Sequence, residues 1–343
     1  MFKKVSSAIS KALPLERMGN FAKAFLLAFV LYLVLVLILG IVWSREPDAF
    51  SVTQVMEEQL AGRPAVVGAA TSSALIHTAN VLLDKPGGFI SNDISLPGLY
   101  LDNIPNWEFG VLVQARDLSR AFRENFSRSQ SQSTEDPDLV IVEPQFHFPN
   151  DSWLFPPSEG EYRKAVVALE SYLARISDSD DSDAQFYARA DNLARWLSNV
   201  ESRLGSLSQR LSASVGQNQM NIDMAGEPSA AQSTASPGQR MVKTPYFEID
   251  DVFYEARGAT WALLHFLKAV EVDFESVLRD KNALVSMRQI IRELEASQKP
   301  VFSPVILNGS GFGLFANHSL VMANYVSRAN AAIIDLRELL NQG

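Results

Sequence analysis

The stretch FYARADNLARWLSNVESRLGSLSQRL, residues 186–211, decides the fold of this chain. Apolar residues recur along it at alternating spacings of four and three, from Phe186 to Leu211, without a break. That spacing places them on one stripe of an α-helix and leaves the other faces polar. The segment therefore predicts a long helix that buries one stripe against other helices.

The preceding segment, residues 158–176, predicts a second helix of the same kind. Ser158 and Glu161 have the spacing of a capping box, and the apolar positions from Tyr162 to Ile176 again alternate by four and three. Only an acidic turn separates the two helices, so we expect an antiparallel αα-hairpin. A homo-oligomeric coiled coil is the alternative use of such stripes. The mixed residues beside the 186–211 stripe favour packing within one chain.

Similar patterns predict helices near 51–60, 66–83, 107–128, 253–277, 284–294 and 322–340. Ser51 and Gln54 have the spacing of another capping box. Residues 139–142 have the length and composition of a short strand. The sequence predicts a mainly α fold, in which one N-terminal transmembrane helix precedes an antiparallel helical bundle. That bundle has long heptad-patterned helices and at most a small β element.

Composition divides the chain into six parts. We expect a basic tail at 1–23, an anchor at 24–43, the N-terminal part of the exported domain at 44–157 and the helical hairpin at 158–211. A flexible linker follows at 212–245, where few residues are apolar, and 246–343 supplies the C-terminal helices of the same bundle.

Residues 24–43, AFLLAFVLYLVLVLILGIVW, carry no charge and are long enough to cross a bilayer. The run exceeds the apolar core of a cleavable signal peptide, which favours an uncleaved signal anchor. The flanking charges are asymmetric: Lys3, Lys4, Lys11, Arg17 and Lys23 precede the run, and Glu46, Asp48, Glu57 and Glu58 follow it. This asymmetry predicts a cytoplasmic N-terminus and an exported C-terminal domain. A reversed orientation is the alternative.

Charge and cysteine content exclude several classes of function. The chain has a net charge of −9 although its first residues are basic, so the predicted exported domain is acidic and is not expected to bind nucleic acid. It contains no cysteine, so it has neither disulfides nor a thiol nucleophile.

Metal and nucleophile motifs are missing from the sequence. The four histidines, His77, His147, His265 and His318, have no metal-ligand spacing, and His265 is expected to be a partly exposed packing residue. The acidic turn after residue 177 lacks the glycine and glutamate of a calcium loop. No G-x-S-x-G sequence occurs. We expect no metal and no cofactor.

Acidic residues cluster in the irregular region 84–108. Asp84, Asp93, Asp102 and Glu108 lie there with Trp107. Two carboxylates beside aromatic residues are the groups that glycoside hydrolysis uses. Such carboxylates also cap turns and helices, and this structural role explains the residues equally well.

The 84–108 region, with the residues named above, is also a candidate interaction surface, and two further segments are candidates of the same kind. Arg116, Arg120 and Arg123 lie on one face of the 107–128 helix, where they suit an anionic ligand or pair with neighbouring acids near 135–138. The glycine-rich loop at 301–317, which includes Phe312, is either a packed β-hairpin with an Asn-Gly turn or an exposed apolar binding loop.

Three blocks of sequence carry a resemblance to a known family. They are LDKPGG at 83–88 with SND at 91–93, DNIPNWEFG at 102–110 and FSRSQSQSTEDPD at 126–138. With these blocks, the chain resembles a proteobacterial family of inner-membrane proteins, domain of unknown function 2333. The resemblance implies a bacterial inner membrane as the location, and it supplies no activity, cofactor or catalytic residue.

The combined prediction is a membrane-anchored periplasmic protein that binds or scaffolds other components of the cell envelope. Its expected partners are the lipid bilayer, through residues 24–43, and an envelope protein or glycan. A homo-oligomer is an open alternative, and a cell-wall glycan enzyme that uses the carboxylates of 84–108 is the second functional hypothesis.

Overall fold

The computed structural model describes residues 19–129, 133–178, 183–220, 239–303, 305–310 and 313–342. These residues are mainly helical, as predicted, with one small antiparallel ribbon. The helices are α1 (Asn20–Trp43), α2 (Val52–Leu60), α3 (Ala69–Asp84), α4 (Asn103–Ala121), α5 (Pro137–Phe146), α6 (Ser158–Ile176), α7 (Ala190–Ser212), α8 (Ile249–Asp273), α9 (Glu275–Asp280), α10 (Leu284–Ser297) and α11 (His318–Asn341). The ribbon pairs β1 (Gln217–Met220) with β2 (Gln239–Val242). Of the predicted basic tail, residues 1–18 lie outside the described ranges.

Helix α8 is the centre of the bundle, where it packs against α3, α4, α7, α10 and α11. Its closest neighbour is α4, and two glycines permit the approach. A Cβ at Gly258 would overlap the carbonyl oxygen of Trp107, and a Cβ at Gly110 would overlap that of Glu255. Trp107 and Trp261 fill the space beside this crossing, with ring centroids 5.2 Å apart. The two glycines therefore set the distance between the two helices.

The heptad stripes of α7 and α11 pack against each other within one chain. α7 buries Leu193, Leu197, Val200, Leu204, Leu207 and Leu211, and α11 buries Met322, Val326, Ala329, Ile333, Leu336 and Leu340. The two helices are antiparallel, since Arg337 pairs with Glu201 and Asn330 lies beside Gly205. The prediction that the stripes pack inside one bundle is confirmed.

The predicted αα-hairpin of residues 158–211 is wrong. α6 packs against α3 and α5, α7 packs against α11 and α4, and the described residues of α6 and α7 share almost no contacts. Between them, Phe186 packs its ring against Phe122, Phe126 and Phe274. This contact holds the end of the segment between α6 and α7 against the bundle, just before α7 begins at Ala190. An apolar stripe shows that a helix needs a partner, and it does not show which one.

Of three predictions from short sequence patterns, two helix caps and one strand, one is right and two are wrong. The Ser51 hydroxyl accepts a hydrogen bond from the N–H of Gln54 at 3.4 Å and caps α2, as predicted. Ser158 does not cap α6, because its hydroxyl donates to the carbonyl of Pro149 at 2.8 Å. The strand expected at 139–142 is wrong, since these residues lie within α5, which Asp136 caps.

The segment 212–245 contains ordered structure at both ends, which corrects the prediction of a flexible linker throughout. β1 and β2 pair in register from Gln217 with Val242 to Met220 with Gln239. The N–H of Thr244 donates to the carbonyl of Ala213 at 3.1 Å and closes the base of the ribbon. Residues 221–238 lie outside the described ranges.

Helix α1 stands apart from the bundle core. None of its 24 residues is buried, although almost all are apolar. Among the described residues it is the one helix long and apolar enough to cross a membrane. An apolar helix that the protein does not cover requires another apolar environment.

Candidate functional site

The segment that follows α1 is fixed to the centre of the bundle by an ion pair. Arg257 of α8 contacts Glu46 through Nε at 2.7 Å. Its Nη1 donates to the carbonyl oxygens of Ser297 and Lys299, at 3.0 Å each. The Arg257 side chain is only 7% exposed, so the pair lies in the protein interior. One guanidinium thus joins the exit of α1, the middle of α8 and the end of α10.

A second contact, between Phe50 and His265, fixes the same segment. The Phe50 N–H donates to Nε2 of His265 at 3.0 Å, and the two rings stack 3.8 Å apart. Nδ1 of His265 lies 2.7 Å from the carbonyl of Trp261, so Nδ1 carries the proton of a neutral imidazole. His265 is fully buried, which corrects the prediction of a partly exposed residue. Burial lowers its pKa to about 4.

Glu108, one of the predicted site residues, is fully buried and organises the loop that follows α3. Its carboxylate pairs with Lys85 and accepts hydrogen bonds from the N–H groups of Ile90 and Ser91, both at 2.8 Å. Trp107 is fully buried as well. Neither Glu108 nor Trp107 is therefore on an accessible surface, and the prediction that both are interaction residues is corrected.

The other predicted carboxylates have separate surroundings. Asp84 pairs with Arg163 on the surface, and Asp102 accepts a hydrogen bond from the first N–H of α4 at 2.9 Å. Asp93 is partly exposed, and burial raises its pKa, with a further contribution from the charge of Glu108. Glu108, whose charge acts on Asp93, is fully buried and paired with Lys85, so these two residues do not present the pair of accessible carboxylates that a glycan hydrolase of the predicted kind requires.

The predicted arginine row is paired with α5. Arg116 donates through Nε to the carbonyl of Phe146, the last residue of α5, at 2.7 Å and through Nη2 to that of Phe148 at 2.8 Å. Arg123 pairs with Glu135 at 2.9 Å and with Glu143 at 3.0 Å, and Arg120 pairs with Glu143 at 3.2 Å. The structural alternative, pairing with acids near 135–138, therefore accounts for Arg123. Glu143 is a partner that the sequence did not indicate.

The glycine-rich loop is closed by an isolated antiparallel bridge between Asn308 and Asn317. The predicted two-residue Asn-Gly turn is wrong, because Asn308 pairs with a residue nine positions along the chain. Leu314 and Phe315 are exposed. Phe312, the predicted interaction residue of this loop, lies outside the described residues.

A polar groove between α4, α7 and α8 was not anticipated. Its volume is about 280 Å³, and its lining includes Arg120, Arg203 and Arg210. Asp117 holds Arg203 at 2.8 Å, and Glu255 holds Arg210 at 2.8 Å.

At the floor of this groove, the amide of Gln114 is buried with neither its oxygen nor its nitrogen hydrogen-bonded to any described residue. An unpaired buried amide costs about 1–3 kcal/mol. This amide is therefore the group in the groove with the greatest need for a ligand. A glutamine within an otherwise apolar helix stripe was the only signal in the sequence.

No group of three or more His, Cys, Asp or Glu side chains in the described part of the chain is placed to hold a metal ion. The arrangement of the groove instead suits hydrogen bonding and charge recognition, since it combines guanidinium donors with an amide that can donate and accept.

Comparison with known proteins gives one match. The model of a protein family described as "Uncharacterized protein conserved in bacteria (DUF2333)" matches residues 16–343. No curated protein and no solved structure matches the chain.

Proposed function

The chain belongs to the DUF2333 family of uncharacterized bacterial proteins, and on that premise we propose that it is a single-pass inner-membrane protein whose exported helical domain binds a carboxylate-bearing partner in the cell envelope. Its N-terminus is cytoplasmic and α1 is the membrane anchor. The charge asymmetry around residues 24–43 and the absence of protein cover on α1 support this topology.

The single observation that carries the binding role is the buried, unpaired amide of Gln114 in a groove that three arginines also line. A carboxylate in the groove would accept from the guanidinium groups and from Nε2 of Gln114.

Two experiments in intact cells test the proposal. Alkaline phosphatase fused after Gly343 is expected to be active, and a cytoplasmic fluorescent reporter at the same position is expected to be dark. The reverse pattern would overturn the topology. A photo-crosslinking residue at exposed Ser206, in the mouth of the groove, is expected to capture a glycan or protein that the same residue at Val285 does not capture.

The groove itself is tested by replacing Gln114 with Met in the Ser206 crosslinking chain. We expect the specific product to disappear, because the new side chain can neither donate nor accept. Equal capture from Ser206 and Val285, or capture that survives Gln114→Met, would overturn the groove as the binding site.

A further inference from the structure

The loop at residues 94–101 lies beside the last turns of the anchor helix. A Cβ at Gly40 of α1 would lie 3.7 Å from Cβ of Pro97 and 4.0 Å from Cδ2 of Leu101. Closer to the bundle, the indole of Trp43 lies over Gly87, where a Cβ would come within 2.7 Å of the ring. The 94–101 loop therefore reaches the level of Gly40 on α1, and Gly87 contacts the same helix at the level of Trp43.

These contacts give the loop a depth relative to the bilayer. Tryptophan at the end of a spanning helix lies in the headgroup region. Gly40 is three residues earlier, about 4.5 Å further toward the hydrocarbon at 1.5 Å per residue. If α1 spans the membrane, Pro97 and Leu101 lie below the plane of Trp43.

The side chains that the loop exposes suit that environment. Ile94 is 59% exposed, Leu99 is 57% exposed and Tyr100 is 80% exposed. Large apolar side chains in water are costly, whereas tyrosine and leucine are stabilised at the interface of a membrane.

Two other exposed aromatic groups lie at the same end of the bundle. Phe247, 86% exposed, is four residues before Asp251, which accepts a hydrogen bond from Asn106 near the start of α4. Phe302, 96% exposed, follows Val301, and Val301 lines an open cleft of about 580 Å³ with the residues that leave α1. The loop, Phe247 and Phe302 thus surround the point where α1 joins the bundle.

We infer that this end of the domain is a lipid-contact face, formed by residues 94–101, Phe247 and Phe302, that enters the interface of the bilayer around the anchor. The inference rests on the proposed function, because it requires α1 to span the membrane. Lipid is the occupant because the face is continuous with the anchor helix and reaches its last turns. Asp102 and Asp250 flank the face together with Arg45 and Lys299, so the charges around it are mixed and we expect its contact with the bilayer to be apolar and independent of anionic lipid.

The absence of native cysteine allows a direct test on the full chain. Single cysteines replace Tyr100, Phe247 and Phe302, and each carries a bimane fluorophore in proteoliposomes of phosphatidylethanolamine and phosphatidylglycerol with nitroxide-labelled lipid. Leu33→Cys, within α1, reports insertion of the anchor. Val285→Cys is the matched exposed control, since it lies near the opposite end of α10 from Ser297, 12 residues or roughly 18 Å along that helix.

We expect several-fold stronger quenching at 33, 100, 247 and 302 than at 285, with no change when phosphatidylglycerol is replaced by phosphatidylcholine. If lipid quenches the fluorophore at 33 but not at 100, 247 and 302, the lipid-contact face is overturned while the proposal that α1 spans the membrane stands. A water-like signal at 33 would instead overturn the membrane anchor on which the inference rests. Quenching of the face that disappears without anionic lipid would show electrostatic attraction and contradict the apolar contact.

Discussion

Glu46 and Arg257, 211 residues apart in the sequence, form an ion pair that joins the segment after α1 to the central helix α8 of the bundle. Arg257 also donates to two carbonyl oxygens at the end of α10. A buried guanidinium with all these acceptors is stable only while each of them is present. The bundle is therefore fixed directly to the end of α1, with no free tether between them.

Removing the carboxylate of Glu46 should destabilise the protein. Glu46→Gln leaves Arg257 buried without its counter-charge, and we expect a loss of about 2–4 kcal/mol in the free energy of unfolding. The matched control is Glu275→Gln, which breaks the exposed pair with Arg279 and should cost less than about 0.5 kcal/mol. Thermal unfolding of the full chain in detergent micelles measures both losses of stability. Equal losses in the two variants would contradict a special role for the buried pair of Glu46 with Arg257.

Acidification should loosen the contact between Phe50 and His265. Because burial lowers the pKa of His265 from 6.5 to about 4, the unfolded chain binds the proton first. Stability is therefore fully present above pH 6.5 and is lost as the pH falls toward 4, by up to about 3 kcal/mol. A protonated imidazole also can no longer accept from the Phe50 N–H.

The control for this pH effect is His265→Gln, which should remove the histidine's contribution to the pH dependence of the unfolding free energy between 4 and 6.5. Burial raises the pKa of Asp251 to about 6, and its contribution has the opposite sign, since folding then favours the protonated carboxyl. The difference between wild type and variant isolates the histidine. Identical slopes in the two proteins would show that His265 does not titrate as expected.

Gly62 and Gly87 have the same backbone conformation, so their alanine variants separate the cost of backbone strain from the cost of a displaced side chain. Gly62 has φ +90 and no heavy atom near a Cβ, whereas Gly87 has φ +93 and lies under the indole of Trp43. Alanine at either position carries the cost of a left-handed backbone, about 1 kcal/mol. Gly87→Ala must also displace Trp43, so we expect a further loss of about 1–2 kcal/mol. Chemical unfolding measures the difference, and Trp43→Leu should partly rescue Gly87→Ala but not Gly62→Ala.

The crossing of α4 and α8 should tolerate no side chain at its glycines. Gly110→Ala places a Cβ on the backbone of α8, and we expect a loss of about 3 kcal/mol or more. Gly205 on α7 is the matched helical control, because its nearest neighbour is a side-chain nitrogen 3.7 Å away. Gly205→Ala should stabilise the protein by up to about 1 kcal/mol through helix propensity. If Gly110→Ala and Gly205→Ala change the free energy of unfolding with the same sign and size, a close crossing of α4 and α8 is contradicted.

Replacement of Gln114 is expected to raise the stability of the protein and to abolish binding in the groove. Gln114→Met removes a buried amide that has no partner, so we expect the unliganded protein to gain about 1–2 kcal/mol of stability while it loses crosslinking from Ser206. Thermal unfolding gives the first effect and the in-cell experiment gives the second. A loss of stability would mean that the amide is satisfied structurally, and would remove the argument for a ligand.

The periodicity of the sequence correctly predicted the structural properties that depend on residues close together along the chain. The spacing in residues 186–211 predicted a helix and its buried stripe, and the run at 24–43 predicted a long apolar helix. The prediction failed where polar residues had a distant partner. Glu108 was predicted to be a candidate site residue, because nothing near it in the sequence shows that Lys85 and two loop amides bind its carboxylate. His265 was misjudged for the same reason, since its partner is Phe50.

The sequence by itself determined the helical class, the stripes that must be buried and the length of the anchor, because these properties follow from residue spacing and composition. Only the tertiary structure decided which helices are neighbours, that Gly110 and Gly258 meet, and that Arg257 joins the anchor to the bundle. Those choices depend on shape and on unpaired charges that find partners up to 211 residues away. An apolar stripe packs against any complementary stripe, whereas a buried guanidinium or a missing Cβ matches only one partner.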